Sequence, residues 1–410
     1  MQIKSFNKIN YNHFRERQPV EGDVSRTLPG WNSKMLVSGF QESNWFFNAF
    51  GFNELKNNYE KNQLILMELF HKGRYKKINK LDVGNLKFVQ YKDLKYLKTN
   101  YPTRVESEKT NVMKKSTGIT VTNIIDDIIN IHMNPKNKNA TIQVASQLNC
   151  LEMKYPRMNP EEGITCYEND HTQGPYCVMQ TPAGIAYRNY LIKLNSSTCD
   201  SERENALESQ GFQYGQTKKC QINMGDKLLD WLKKKDQNII WIYKNGYLFI
   251  DKYSLEKINN ILKIKKNKEI AINLIKTASH TKMGIIGSNM HINHVLCSGL
   301  PINYQNDKNQ NQELWKLLSE VFLKAYYRNT LLIACENNRM SKKSMPCYLT
   351  KVGGDAFGMS KKIIIQSIKY ACKVIKNMGL SLDIKIVHYK DIDKDFGLLQ
   401  ESPVPTGRYV

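Results

Sequence analysis

The chain predicts an α/β layer fold, and three observations predict it. From Cys347 onward a strand, a glycine loop, a helix and a second strand follow one another without a break. Two compact apolar segments, "ATIQVASQLNCLEM" (140–153) and "HVLCSGLPINY" (294–304), read as buried strands that turn polar or meet a Pro turn at their ends. Between them, "QNIIWIYKNGYLFID" (237–251) places two aromatic, β-branched runs around Asn245-Gly246, the signature of a type I′ hairpin.

In chain order, residues 1–35 are polar and patternless and read as an arm. Residues 36–110 read as an accessory lobe with a short aromatic segment, a strand at Gln63–Leu69 and a polar helix near the end. Residues 111–400 form the main domain, and 401–410 a tail. "TGITVTNIIDDIINIH" (117–132) alternates and then becomes aliphatic, with Asp126 and Asp127 inside the run. The segment 237–270 is a hairpin-helix insertion whose helix "SLEKINNILKI" starts at a Ser N-cap, half a capping signal because a lysine stands where a Glu would complete the box. "NQELWKLLSEVFLKAYYRNTLLIACENN" spaces its apolar residues helically to about 337. Cys347–Val352 is a strand, Ile364, Ile368, Ala371 and Ile375 share one helix face, and "LDIKIVHY" (382–389) is a closing strand.

The formal net charge is +22 over 410 residues. Such a balance favours an acidic partner: nucleic acid, an anionic membrane, an acidic protein surface or a polyphosphate ligand. The excess is dispersed, with its densest run at "KIKKNKE" (263–269). No nucleic-acid-binding motif is visible. No apolar run reaches the ~18 residues of a membrane helix, and the N-terminus lacks the apolar stretch of a signal peptide. Nine scattered cysteines without a CxxC pair or a metal-ligand spacing point to reduced thiols. A soluble, cytoplasmic protein without a metal is the expectation.

Four segments carry chemistry. "VGGDAFGM" places Gly353, Gly354 and Gly358 between a strand and a helix N-terminus, where backbone N–H groups and the helix dipole suit a pyrophosphate; Phe357 is placed to stack on a ribose or base. The spacing is neither a P-loop nor GxGxxG. Asp126 and Asp127 offer a carboxylate for an adenine amino group, or else cap a helix. Gln143, Gln147 and Asn149 offer amides for sugar hydroxyls, or else close neighbouring loops. "EEGITCYENDHTQGP" (161–175) concentrates Glu161, Glu162, Glu168 and Asp170. Glu162 and Asp170 are eight residues apart around a loop, a spacing that lets both reach one reacting carbon and stabilise an oxocarbenium-like state. His171 reads as structural.

Taken in order, "QVASQLNCLEM", "PEEGITCYENDHTQGP", "AGIAYRNYL", "GQTKKCQIN", "CSGLPINY" and "YLTKVGGDAFG" resemble the macrodomain-type ADP-ribosyl hydrolases. The closer match is their MavL-type branch, related to poly(ADP-ribose) glycohydrolases; it spans about Phe40 to His388. The resemblance implies a three-layer α/β/α macrodomain-like core with a mixed sheet and ADP-ribose in a cleft, as ligand and product, with no other cofactor. By the same resemblance Asp127 binds adenine, and the loop of Gly353, Gly354, Ala356, Phe357 and Gly358 wraps the pyrophosphate. Gln147 and Asn149 lie near the distal ribose, together with Thr172, Gln173 and Gly174. Glu162 and Asp170 do the chemistry: release of ADP-ribose from a protein side chain, with arginine the expected linkage and an ADP-ribosylated protein the substrate.

The chain departs from the family at Asp126 and Asp355, where glycines are usual, at Met359, where an asparagine is usual, and at Glu162, one methylene longer than the usual aspartate. A carboxylate ~5 Å from a pyrophosphate costs ~3 kcal/mol per charge at an effective ε of ~20. A second reading therefore stays open: a catalytically degenerate macrodomain acting as an ADP-ribose reader, or as a scaffold for an acidic, for example cytoskeletal, protein.

Overall fold

The computed structural model describes residues 44–97, 118–195, 212–306 and 311–399. The expected arm (1–35) and tail (401–410) lie outside them.

Thirteen strands are described. β1 (Lys77–Ile78), β2 (Leu81–Asp82) and β3 (Asn85–Val89) come first, then β4 (Ile119–Ile125) and β5 (Thr141–Ser146). β6 (Lys193–Asn195), β7 (Phe212–Tyr214), β8 (Trp241–Lys244) and β9 (Tyr247–Ile250) form two small hairpin sheets. β10 (Thr277–Gly284), β11 (His291–Ser298), β12 (Cys347–Leu349) and β13 (Leu382–His388) complete the set. Seven strands make one mixed sheet in the order β3–β10–β11–β5–β12–β13–β4. From β11 to β4 all neighbours are parallel, whereas β10 and β3 are added antiparallel. The chain is thus an α/β protein with a mixed sheet, as expected.

Alternation along the strands separates two helical layers. Gln143 Nε2 on β5 reaches Thr330 of the helix Gln312–Ser341 at 3.0 Å, and Asn329 of that helix bonds Thr277 of β10 at 3.1 Å. The helix Lys361–Asn377 packs beside it. On the opposite face His294 of β11 meets His132 of the helix Ile128–Met133, and His280 of β10 meets Arg188. Both layers bury apolar side chains completely, Ile142 and Val144 among them.

Two local expectations are corrected, and one alternative is realised. Gln63–Leu69 is not a strand but part of the helix Tyr59–Lys72. Asn58 accepts from Lys61 N at its start, and Tyr59, Asn62, Leu66 and Phe70 are buried at helical spacing. The helix at 252–262 starts at Asp251 rather than Ser254: Asp251 Oδ1 accepts from Ser254 N at 2.8 Å, and the buried Ser254 hydroxyl serves Ile240 N instead. The aliphatic end of 117–132 leaves the sheet as a helix because Asp127 caps it, accepting from Ile129 N at 2.7 Å. The hairpin stands as predicted: Asn245 (φ 50°) and Gly246 (φ 81°) take the two left-handed positions between paired Lys244 and Tyr247.

Seven cysteines are free thiols, whereas Cys220 is disulfide-bonded, so the expectation of reduced thiols fails at that position. Among the described residues no helix is long and apolar enough to cross a membrane, and no cluster of three metal-ligating side chains occurs.

Candidate functional site

The site lies beyond the carboxyl ends of the parallel strands, where open α/β sheets place their ligands. β12 pairs with β5 only at Cys347–Thr141 and Tyr348–Ile142, after which the two strands part. The Gln173 side chain fills the gap. Its Nε2 donates to Gln143 O and its Oε1 accepts from Ala145 N, both at 2.9 Å. Gln173→Ala would leave both backbone groups buried without a partner. We expect a loss of about 2–4 kcal/mol, read as a lower urea midpoint with an unchanged slope.

One wall of the crevice is the glycine loop. Met359 N donates to Gly353 O at 2.8 Å and Gly358 N to Asp355 O at 3.1 Å, which folds the loop on itself. Gly353 (φ 71°) lies so close to Gly299 that a Cβ on Gly299 would stand 2.6 Å from the Gly353 Cα, and Gly358 (φ 75°) is pressed against Asn303. No side chain fits at those positions. The N–H groups of Gly353, Asp355, Ala356 and Phe357 donate to no described residue. They precede the helix Lys361–Asn377, whose Ser360 makes no side-chain cap. Gly354 N is spent on Lys351 O. Asp355 is exposed, so its carboxylate does not fill the crevice.

An aromatic cluster stands next to this loop. The rings of Phe357, Tyr247 and Tyr304 are 5.4–5.6 Å apart. Tyr247 comes from the hairpin and donates to Met153 O at 2.7 Å. Burial pushes its phenol up, and Tyr304, Asp170 and Glu152 add to that. Tyr247 thus joins the loop to the segment after β5 that carries Glu152 and Met153.

Of the two acids singled out in the sequence, Asp170 is the one whose charge acts on Tyr247 and Glu152. Its Oδ1 accepts from Thr172 N at 3.1 Å, and the half-buried group keeps its other oxygen uncommitted among the described residues. Glu162 is exposed and folds back on its own turn, accepting from Asn159 N and Nδ2 at 2.9 Å in a capping box. Among the described residues no hydrogen bond or ion pair joins it to the glycine loop. His171 bonds Tyr176 on the surface.

The amides expected on sugar hydroxyls are engaged elsewhere. Gln147 holds Met153 N and O at 2.7 and 3.1 Å. Asn149 accepts from Leu151 N and donates to Gln221, which donates in turn to Asn245. These bonds close the loop after β5, fasten it to the hairpin and fix the orientation of both buried amides, each of which keeps one N–H and one lone pair. Gly174 is buried where a Cβ would stand 2.2 Å from Ala145 O and 2.3 Å from Glu152 Oε2. Thr172 is exposed at the start of the helix Gln173–Gln180. Asp127 spends one oxygen on its helix cap, and Asp126 Oδ1 accepts from Asp127 N.

Two acids had no sequence argument. Glu152 is 2% exposed and its Oε1 finds no partner. Burial drives its carboxyl well above the usual range, Ser146 and Arg188 oppose that, and Asp170 adds to it. Its only sequence signal is a lone Glu in the apolar run "NCLEM". Glu54, from the N-terminal segment, accepts from Ile164 N, Thr165 N and the Tyr190 hydroxyl at 2.5–2.9 Å. It fixes the loop that leads to Asp170.

No family model matches the chain, and no curated protein does. Solved structures bearing a likeness to it include the poly(ADP-ribose) glycohydrolase of Deinococcus radiodurans in complex with ADP-ribose. The identity there is 6%, covering 76% of this chain and 90% of that one, with a TM-score of 0.33. Another is the enzyme of Thermomonospora curvata bound to the inhibitor ADP-HPD, at 7% identity over 80% and 93%, with a TM-score of 0.32.

Proposed function

We propose that the crevice binds ADP-ribose and that the protein hydrolyses the bond joining it to a protein side chain, arginine being the expected linkage. The observation that carries this reading is the set of four unspent loop N–H groups beside the Phe357–Tyr247 ring pair, on which the charge of Asp170 acts. The motif resemblance supports it. The diphosphate would accept from Gly353, Asp355, Ala356 and Phe357 N–H, and Phe357 would cover a ribose. Asp170 would stabilise the oxocarbenium-like centre and take a proton from the attacking water. The C–N bond breaks with its electron pair left on the guanidine nitrogen, and the water oxygen bonds to the anomeric carbon. The proton taken by Asp170 passes to that nitrogen, so arginine leaves as a guanidinium and the carboxylate is restored.

A second reading keeps binding without cleavage. It is favoured by Glu162, which is folded into its own turn, and by the amides of Gln147 and Asn149, which are already engaged. One pair of measurements separates the two. Isothermal titration with ADP-ribose is expected to show saturable heat, and an arginine-ADP-ribosylated protein is expected to release free ADP-ribose. Heat without release selects the reader, and no heat removes both.

A further inference from the structure

The basic excess acquires a location in the insertion. The helix Asp226–Lys235 packs against the helix Lys265–Leu274. Just past the end of the second helix, Lys276 reaches the start of the first: its N–H donates to Met224 O at 3.0 Å and its Nζ meets Asp226 at 2.5 Å. Just past the other end of the first helix, Asp236 meets Lys257 Nζ at 3.1 Å, on the helix Lys252–Leu262 that leads directly into the second. The end of the first, Lys233–Lys235, therefore lies beside the start of the second, with Lys263, Lys265 and Lys266. All six lysines are exposed, and none is in an ion pair with a described residue. Lys233 lies over the Trp241 ring at 5.3 Å and Lys235 over Trp231 at 5.6 Å. Ile240 and Ile264 are 45% and 57% exposed in the same region.

Charge and apolar groups alternate here, and the partner must match both. Asp230, on the first of these helices, and Glu256 and Glu269, in the insertion, are exposed. A uniformly anionic face such as a bilayer or a duplex would meet these carboxylates, whereas a peptide with spaced acids passes between them. The surface also connects to the crevice. Trp241 opens β8, and the other end of β8 leads to the turn whose Gly246 O accepts from Leu148 N. A four-residue strand spans about 13 Å.

We propose that this lysine surface docks an acidic segment of the modified protein while its ADP-ribosylated side chain enters the crevice. This rests on the hydrolase reading for the identity of the partner, but not for the existence of the surface. The test uses the full chain and a variant carrying Lys234→Gln, Lys263→Gln, Lys265→Gln and Lys266→Gln. Wild type is expected to bind poly-L-glutamate with an affinity that falls as salt rises, and the variant to lose about tenfold. On an arginine-modified protein the variant should raise KM about tenfold at unchanged kcat, with no change on free ADP-ribosyl-arginine. Equal poly-L-glutamate affinity in the two proteins overturns the proposal. So does tighter binding of wild type to phosphatidylserine vesicles or duplex DNA than to poly-L-glutamate. If no modified protein is hydrolysed, the hydrolase reading fails while the poly-L-glutamate comparison still decides the surface.

Discussion

Asp170→Asn is expected to lower the rate of ADP-ribose release by roughly 10²–10⁴-fold and to leave the melting temperature where it was. The asymmetry follows from what each oxygen does. Asp170 Oδ1 holds Thr172 N, and an asparagine Oδ1 accepts the same bond, so the turn survives. The lost property is the negative charge, and with it the capacity to take a proton and to face a developing cation. Glu162→Gln makes the contrast. Its Oε1 caps Asn159, which glutamine can also do, and among the described residues no hydrogen bond or ion pair joins it to the glycine loop. That variant should stay within about threefold of wild type, because nothing of the transition state depends on it. Single-turnover release from an arginine-modified protein, with circular dichroism melts of each variant, reads both. If Asp170→Asn hydrolyses at the wild-type rate, Asp170 is not the reacting carboxylate. If Glu162→Gln falls as far as Asp170→Asn, the turn at 160–162 opens in the complex and both acids act.

What the sequence disclosed here was whatever is encoded locally. Asn245-Gly246 demands two left-handed residues in succession, and no longer-range contact is needed to see it. The glycine loop was visible because strand, loop and helix are contiguous. The long helix showed itself by period, running on to Ser341 once no breaker intervened. The failures have the opposite cause. Gln63–Leu69 is an apolar run whose period reads either way. Its helical state is decided by the Asn58 cap and by packing of Tyr59 and Phe70 against Tyr190 and Tyr187. The amides of Gln147 and Asn149 are of the right type for sugar, but Gln221, 72 residues away, takes one of them. Glu152 was overlooked because its significance depends on Asp170, Gly174 and Arg188 being near it, and none of those proximities is local. The acidity of 161–170 has a physical account only in part: Glu162 caps its own turn, Asp170 holds Thr172 N, and Glu54 clamps the segment between them.

The second large effect is on stability at mild acid. Below pH ~6 the protein is expected to lose stability steeply through three histidines that have no room for a second proton. His132, His280 and His294 are fully buried. His132 Nδ1 faces Ile128 O at 2.6 Å and so carries the hydrogen, which leaves its Nε2 to accept from His294 Nε2 at 2.8 Å. Protonating the pair would set two N–H groups against each other. His280 Nδ1 accepts from Arg188 Nη1 at 2.9 Å, and a proton there would face a guanidinium. Burial drives His132 down to about 4 from its ordinary 6.5, and it also pushes His280 and His294 down, helped by Arg188 and by the other histidines. All three are neutral in the folded chain and take up protons on unfolding once the pH is below ~6.5. Their stabilisation is therefore complete above 6.5 and is lost as the pH falls toward the folded values. For His132 alone this is on the order of 3 kcal/mol. Glu152 works the other way. Its carboxyl stays protonated in the fold while the unfolded chain has ionised it, so one proton is released on unfolding between about pH 4.5 and its raised folded value. Between pH 5 and 6 the depressed histidines, His388 among them, outnumber the one raised carboxyl, so unfolding takes up protons on balance and stability falls as the pH falls. Urea unfolding at half-unit steps from pH 7 to 5 measures it. Glu152→Gln should steepen the slope by about one proton, because the opposing release is gone. A stability that stays flat across this range would mean that the three histidines reach solvent rather than lying buried against β10 and β11 beside Arg188.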